Sequence, residues 1–273
     1  MSVLNGRRQR YGGRSTLIAS ISTVVFVVAV SLVVTGSPSW PLVQRDFFDP
    51  ATFWRFLPVI AGAFFLNIAL FLIVEVVVLT LGLVVAVVRN LPGPVFFPLR
   101  LVAILFADVF RGIPSLLVIY LLGFGIPGLL LPGIPSDPFF WAAVSLTLVY
   151  TAYVSEVYRA GIESIHPSQA AAARSLGLSR FQALRYVVVP QAIRRVIPPL
   201  LNDFIGLQKD TVLVSYIGVV EAFRTANIEQ QAHFNYTPYL ALSVLFLVIT
   251  LPLTRLTDYL VARDRRRFLA GAR

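Results

Sequence analysis

The stretch Val59–Val88 reads VIAGAFFLNIALFLIVEVVVLTLGLVVAVV, is broken only by Asn67 and Glu75, and closes on Arg89. About 20 apolar residues in a helix cross the hydrocarbon of a bilayer, so this run is long enough to span it. The rest of the chain agrees. Of its 273 residues 57% are hydrophobic and 13% charged, against about 45 to 50% apolar residues in soluble domains. The mean hydropathy of +0.80 points the same way. The bilayer is therefore the expected solvent.

Working outward from this run, five more candidate crossings emerge. Leu17–Val34 follows a leader that carries Arg7, Arg8, Arg10 and Arg14. It exceeds the roughly 7 to 15 apolar residues of a cleaved signal peptide and lacks a small-x-small site, so it reads as a retained anchor. Ser37–Arg55 is polar and aromatic, with Trp40 and Trp54 suited to an outer interface. Leu99–Phe124 contains Asp108, Arg111 and Pro114, and Gly123–Pro138 beyond it has no lysine or arginine, which places that loop outside. Phe139–Val154 leads into a block bearing Arg159, Arg174, Arg180, Arg185, Arg194 and Arg195, which the positive-inside rule puts in the cytoplasm. Tyr239–Leu253 is followed by Arg255, Arg263 and Arg265–Arg267, so the C-terminus also reads as cytoplasmic.

Two cytoplasmic ends require an even number of crossings. Ile197–Val220 supplies the missing one, although Pro198, Pro199, Asn202, Asp203, Lys209 and Asp210 make it a polar-lined helix that must face protein or water. Of the 23 basic residues, only Arg45, Arg55 and Arg224 fall in external segments, while Arg111 and Lys209 fall within crossings. The expected architecture is all-α, polytopic, with about six transmembrane helices and both termini in the cytoplasm.

Several chemistries are excluded. The net charge of +10 is spread over short clusters between apolar runs, not gathered into a nucleic-acid patch. There are no cysteines, hence no disulfide or thiolate site, and the two histidines, His166 and His233, lack the carboxylate and nucleophile of a catalytic set. The single lysine, Lys209, lies between Gln208 and Asp210, so no Gly-Lys-Ser/Thr phosphate loop exists in this chain. Any nucleotide must sit on a partner.

The cytoplasmic block reads SQAAAARSLGLSRFQ over residues 168–182, then VVVP over 187–190. Ala170–Leu176 is a run of strong helix formers, Gly177 can end that helix in a left-handed conformation, and Ser179 with Gln182 forms a capping box that restarts a second one. The spacing resembles the EAA loop of ATP-binding-cassette importer permeases, which runs Glu-Ala-Ala, three residues, Gly, nine residues, Ile-x-Leu-Pro. Ala172, Ala173, Gly177 and Pro190 match it, Val187 and Val189 replace Ile and Leu, and Ala171 departs from it where the family has glutamate. Phe110–Pro114, Ala152-Tyr153 with Glu156 and Arg159–Gly161, Pro190–Ala192, and Leu201–Phe204 with Lys209–Thr211 narrow the resemblance to the polar amino-acid permeases.

That resemblance implies residues 1–55 as a basic N-terminus, extra anchor and external linker, 56–262 as the permease domain with its coupling loop at about 162–190, and 263–273 as a basic tail. It implies a plasma-membrane permease in a dimer with an identical or similar second subunit, a cytoplasmic ATPase dimer that carries ATP and magnesium, and an external solute-binding protein. No cofactor is expected on this chain. Coupling falls to Gln169, Ala171, Ala172, Ala173, Leu176, Gly177, Leu178, Ser179, Phe181 and Pro190.

Charges inside a membrane are functional candidates by default, which singles out Glu75, Asp108, Arg111, Lys209 and Asp210 together with Asn202 for the substrate pathway. Asp108 and Arg111, three apart on one helix, either neutralise each other or line that pathway. Glu75 or Lys209 is positioned to meet the ammonium or carboxylate of an amino acid. A membrane enzyme would need a cluster of Asp, His or Ser near one face, which is missing. An ATP-independent carrier or channel would accommodate the charges but leave the loop without a purpose.

Overall fold

The computed structural model describes residues 13–271, with side chains from Ser15 to Arg263. The expected cytoplasmic cluster of Arg7, Arg8 and Arg10 lies outside the described residues, as do the side chains of Arg14 and Arg265–Arg267. Twelve α-helices and no strand occur among the described residues.

The expected anchor falls on α1 (Gly13–Thr35), whose apolar side chains stand exposed all round and which is long and apolar enough to span. The short α2 (Trp40–Phe47) follows and is stitched to the far end of the chain. Tyr236 N–H donates to Asp46 O at 2.6 Å, and the Phe47 and Tyr236 rings stack with centroids 4.8 Å apart. The long helix α3 (Pro50–Arg89) starts at Asp49, whose carboxylate accepts from the Ala51 and Thr52 amides. Phe56, Ile60, Phe64, Asn67, Phe71, Val74, Val78, Gly82 and Ala86 form its buried stripe, stepping by three and four residues. Leu72, Val76 and Leu83, on other faces, are exposed.

The third expected crossing is not one helix. A short 3₁₀ turn leads into α4 (Phe97–Gly112), which stops at Ile113, and the direction changes by 104° before α5 (Ser115–Tyr120), a π-helical turn over Leu121–Gly125 and α6 (Ile126–Gly128). Pro114 has no amide hydrogen to give the preceding turn, and it forces Ile113 into extended geometry at φ −93°, ψ 131°. Hydropathy averaged over the run hides this break.

At the centre lies α7 (Pro138–Glu163), which packs against α3, α4, α5 and α10. Between helices in lipid, apolar transfer drives little, so association depends on close packing and on satisfied polar groups. Gly82 shows how tight that packing is, since a Cβ there would lie 2.7 Å from Val154 Cγ1 and 3.3 Å from the Ser155 nitrogen. Leu70, Val74, Val78, Leu146, Val149 and Leu207 fill the core beside it.

After α7 come α8 (Pro167–Ser175), α9 (Arg180–Ala183), a π-helical turn and α10 (Val189–Asp210). The expected crossing Ile197–Val220 is a helix only to Asp210, then tightens into a 3₁₀ segment over Thr211–Ile217 that ends at Gly218 with φ +95°. The chain closes with α11 (Ala222–His233) and α12 (Thr237–Gly271). By length and apolar character, 4 helical stretches qualify as spans, and the bent pair makes 5. The polar α10 and its extension do not qualify by hydropathy, and the expectation of a crossing there rests on charge counting alone.

Candidate functional site

The loop between α7 and α10 folds into an elbow of two short helices. His166 Nδ1 accepts the Ser168 amide at 3.2 Å and opens α8. Gly177, at φ +90°, then turns the chain while its own amide reaches Arg174 O at 3.0 Å and Leu178 N–H reaches Ala173 O at 3.3 Å. Ser179 restarts the helix with the full capping box: its Oγ accepts from Gln182 N–H at 3.2 Å and its N–H donates to Gln182 Oε1 at 2.8 Å. Gln191 Nε2 donates to Val187 O at 2.8 Å, and Arg195 Nη1 bonds Ser164 O, so the elbow is tied to the membrane helices at both ends.

The expected coupling residues divide into two groups. Gln169, Ala171, Ala172, Leu176, Gly177, Ser179 and Phe181 are exposed, with Leu176 at 83% and Phe181 at 69%, whereas Ala173 is buried and Leu178 and Pro190 are half-buried. Ala173 therefore belongs to the inside of the elbow and not to its outer face. A cleft of about 800 Å³ runs between α8 and α9, lined by Ala170, Arg174, Arg180 and Phe181.

A charged cluster lies at the elbow end of the membrane helices. Glu156 of α7 binds Arg89 Nη1 at 2.6 Å, Arg111 Nη1 at 3.5 Å and the guanidinium of Arg159. Here the expectation for Arg111 is corrected. Its partner is Glu156 on another helix and not Asp108, which is exposed and makes no ion pair among the described residues. Arg111, at the end of α4 just before the bend, shares Glu156 with Arg89, the last residue of α3.

A cavity of about 340 Å³ opens beside this cluster, lined by Arg111, Tyr153, Glu156, Arg195, Pro199 and Asp203 among others. Of the six expected pathway residues only Arg111 reaches it. Glu75 is buried and close enough to Asp203 for the two carboxylates to interact. Asp203 Oδ2 is itself buried without a hydrogen-bond partner. Asp210 accepts the Tyr150 hydroxyl at 2.9 Å, while Asn202 and Lys209, seven apart on α10, are exposed. Glu156, Arg195 and Asp203 were not among the expected pathway residues. Glu156 and Asp203 lie in the motifs that carry the family resemblance and Arg195 in the basic block, but nothing in their spacing brings the three together.

A second buried polar group lies farther up α3, about 33 Å from Arg89 at 1.5 Å per residue. Asn67 Nδ2 donates to Glu221 Oε2 at 2.8 Å and Thr211 Oγ1 at 3.1 Å, and its Oδ1 accepts the Ala222 amide at 3.1 Å. Glu221 also caps α11 through the Phe223 and Arg224 amides, both at 2.9 Å.

Comparison with known proteins decides what this frame is. Residues 79–266 match the family described as the binding-protein-dependent transport system inner membrane component. The chain belongs to that family. Its relatives include a probable amino-acid permease protein, YxeN, of Bacillus subtilis, 33% identical over 71% of this chain and 86% of that one. They also include the glutamate transport system permease protein GluC of Corynebacterium efficiens, 35% identical over 74% of this chain and 93% of that one. Among solved structures, a crystal structure of an amino acid ABC transporter with histidines aligns with a TM-score of 0.71 and 30% identity over 79% of this permease and 98% of that chain. The MetNI methionine transporter in an inward-facing form, at 17% identity and a TM-score of 0.55, shares the fold. The permease is an integral inner-membrane protein. Because the family match starts at residue 79, α1, α2 and the first part of α3 lie outside it.

Proposed function

We propose that this chain is the membrane permease subunit of an ATP-binding-cassette importer for polar amino acids, glutamine or glutamate foremost. The observation that carries the reading is the elbow. A rigid pair of capped short helices presents Leu176 and Phe181, 83% and 69% exposed, at the end of the central helix α7. Burying such side chains in a partner is favourable by roughly 1.5 to 3 kcal/mol each, and a docked rigid element transmits displacement. The partner is a cytoplasmic ATPase dimer that holds ATP and magnesium, so the elbow and both termini lie in the cytoplasm and this chain hydrolyses nothing itself. Substrate class follows from the relatives and suits the cavity, where Arg195 can face a carboxylate and Asp203 an ammonium group.

Asn202 and Lys209 are exposed on one flank of α10. A lysine left in lipid costs about 2.5 to 3.5 kcal/mol, so a second permease subunit, identical or similar, covers that flank and a central passage runs between the two. An external solute-binding protein delivers the amino acid on the far side.

Co-purification and reconstitution test the reading. The chain should isolate with an ATPase and import labelled glutamine or glutamate only when ATP and the solute-binding protein are supplied. Flux through the lone chain in liposomes without ATP would instead establish a carrier.

A further inference from the structure

Glu156 lies two turns before the end of α7, and only Ser164, Ile165 and His166 separate α7 from α8. Its two carboxylate oxygens serve three helices. One holds Arg159 of α7 itself, and the other holds Arg89 at 2.6 Å and Arg111 at 3.5 Å. Arg89 ends α3, and Arg111 is the last residue but one of α4. A single side chain thus ties the ends of two other helices to the helix that carries the elbow. The Arg89 side chain is 10% exposed and that of Glu156 20%, so water screens the pair only weakly. The Arg89 Nε is buried with no hydrogen-bond partner, and Glu156 is the only anion on that guanidinium among the described residues. Beyond Arg111 the chain breaks at Ile113–Pro114 and turns by 104°. α4 and α5 are therefore not one straight helix, and the clasp holds the end of α4 to α7.

We propose that Glu156 is a positioning residue for transport: it makes the ends of α3 and α4 follow α7 when the elbow is displaced, so that the passage opens in step with the ATPase. The inference rests on the transport reading above. α3 already packs closely on α7 around Gly82, so the clasp adds most at Arg111, where α4 ends just before the chain turns.

The test uses the complete complex of permease, ATPase and solute-binding protein in proteoliposomes, and reads amino acid imported per ATP hydrolysed. Glu156→Gln, with assembly verified by size exclusion, keeps hydrolysing ATP while that ratio falls about five- to tenfold, the weight of one partly buried charge pair. Glu156→Asp recovers most of the loss. Arg111→Gln lowers the ratio as well, and the double variant Glu156→Gln/Arg111→Gln is no worse than Glu156→Gln alone, because both changes break one linkage. A wild-type ratio in Glu156→Gln, or losses that multiply in the double variant, overturns the proposal. Should Glu156→Gln fail to assemble, Arg111→Gln decides, since Arg111 is 39% exposed at the edge of the cluster and an unchanged ratio there overturns the proposal equally. Absence of import by the wild-type complex would instead remove the transport reading itself.

Discussion

Replacing Asn67 with leucine is the sharpest test of how the polar groups hold this fold. The change keeps the number of side-chain heavy atoms and their branching but removes two donated hydrogen bonds, to Glu221 at 2.8 Å and Thr211 at 3.1 Å, and one accepted from the Ala222 amide at 3.1 Å. Glu221 is 1% exposed and Ala222 fully buried, so water cannot take over. Neutral hydrogen bonds between membrane helices average only about 0.6 kcal/mol, so the Thr211 contact counts for little, and the Thr211 hydroxyl keeps its bond to Gln208 O at 2.8 Å. The bond to the carboxylate counts for about 1.5 to 3 kcal/mol and the orphaned Ala222 amide for about 1 more. The expected loss is about 2.5 to 4 kcal/mol, or a fall of roughly 5 to 16 °C in Tm at about 2 to 4 °C per kcal/mol. Thermal unfolding of the purified protein in detergent measures it. Gln231→Leu, on an exposed face of α11, is the control and should shift Tm by less than about 2 °C. A shift as small as the control's for Asn67→Leu would refute the assignment of Asn67 as the tie between α3 and the Thr211–Glu221 segment.

Three further outcomes follow from the geometry. Gly177→Val places a branched side chain at φ +90°, a strain of roughly 1 to 2 kcal/mol, and should weaken ATPase binding about tenfold while leaving the Tm of the membrane helices unchanged; equal affinity in a pull-down titration would show that the turn is not needed in that form. Asp137→Ala removes the cap that receives the Phe139 and Phe140 amides at 3.3 and 3.1 Å, and should lower Tm by about 2 to 4 °C for the roughly 1 kcal/mol of a lost cap. Lys209→Met should reduce ATP-driven uptake about tenfold with assembly intact, which corresponds to one charge-assisted bond of about 1.5 kcal/mol; undiminished uptake would remove Lys209 from the pathway.

What was legible in the sequence depended on the range of the physics involved. A bilayer imposes a length on each apolar run, and capping chemistry acts within one turn, so the crossing Val59–Val88 and the Ser179–Gln182 box could both be read from neighbouring residues. The assignment of Ile197–Val220 rests on charge asymmetry between loops, because Asn202, Asp203 and Lys209 defeat hydropathy there; α10 is a helix, though it is not among the apolar stretches that qualify as spans. The break at Ile113–Pro114 was legible in principle from the proline, yet an apolar run on both sides disguises two elements as one. The charged cluster was illegible for a different reason. Spacing reports which residues share a face of one helix, and for Arg111 it offered only Asp108 as a partner, beside a place in the pathway. A guanidinium on a long stem reaches Glu156 on a neighbouring helix, and only packing reveals which neighbour that is.

Ala171 gains a physical meaning on the proposed reading. It stands where similar loops carry glutamate, and it is exposed on α8 beside Ala172. An exposed ion pair across an interface contributes about 0 to 1 kcal/mol, because two solvated side chains must be ordered to form it. Leu176 and Phe181, 83% and 69% exposed, contribute several times that when a partner covers them. Loss of the glutamate therefore leaves the larger part of the docking energy in place and shifts its character from charge to shape. The turn at Gly177 and the capping box at Ser179 set the spacing between those two apolar side chains, so they determine recognition as well as local stability. An ATPase that serves this permease needs an apolar pocket matched to that spacing, and it has no need of a cation facing residue 171.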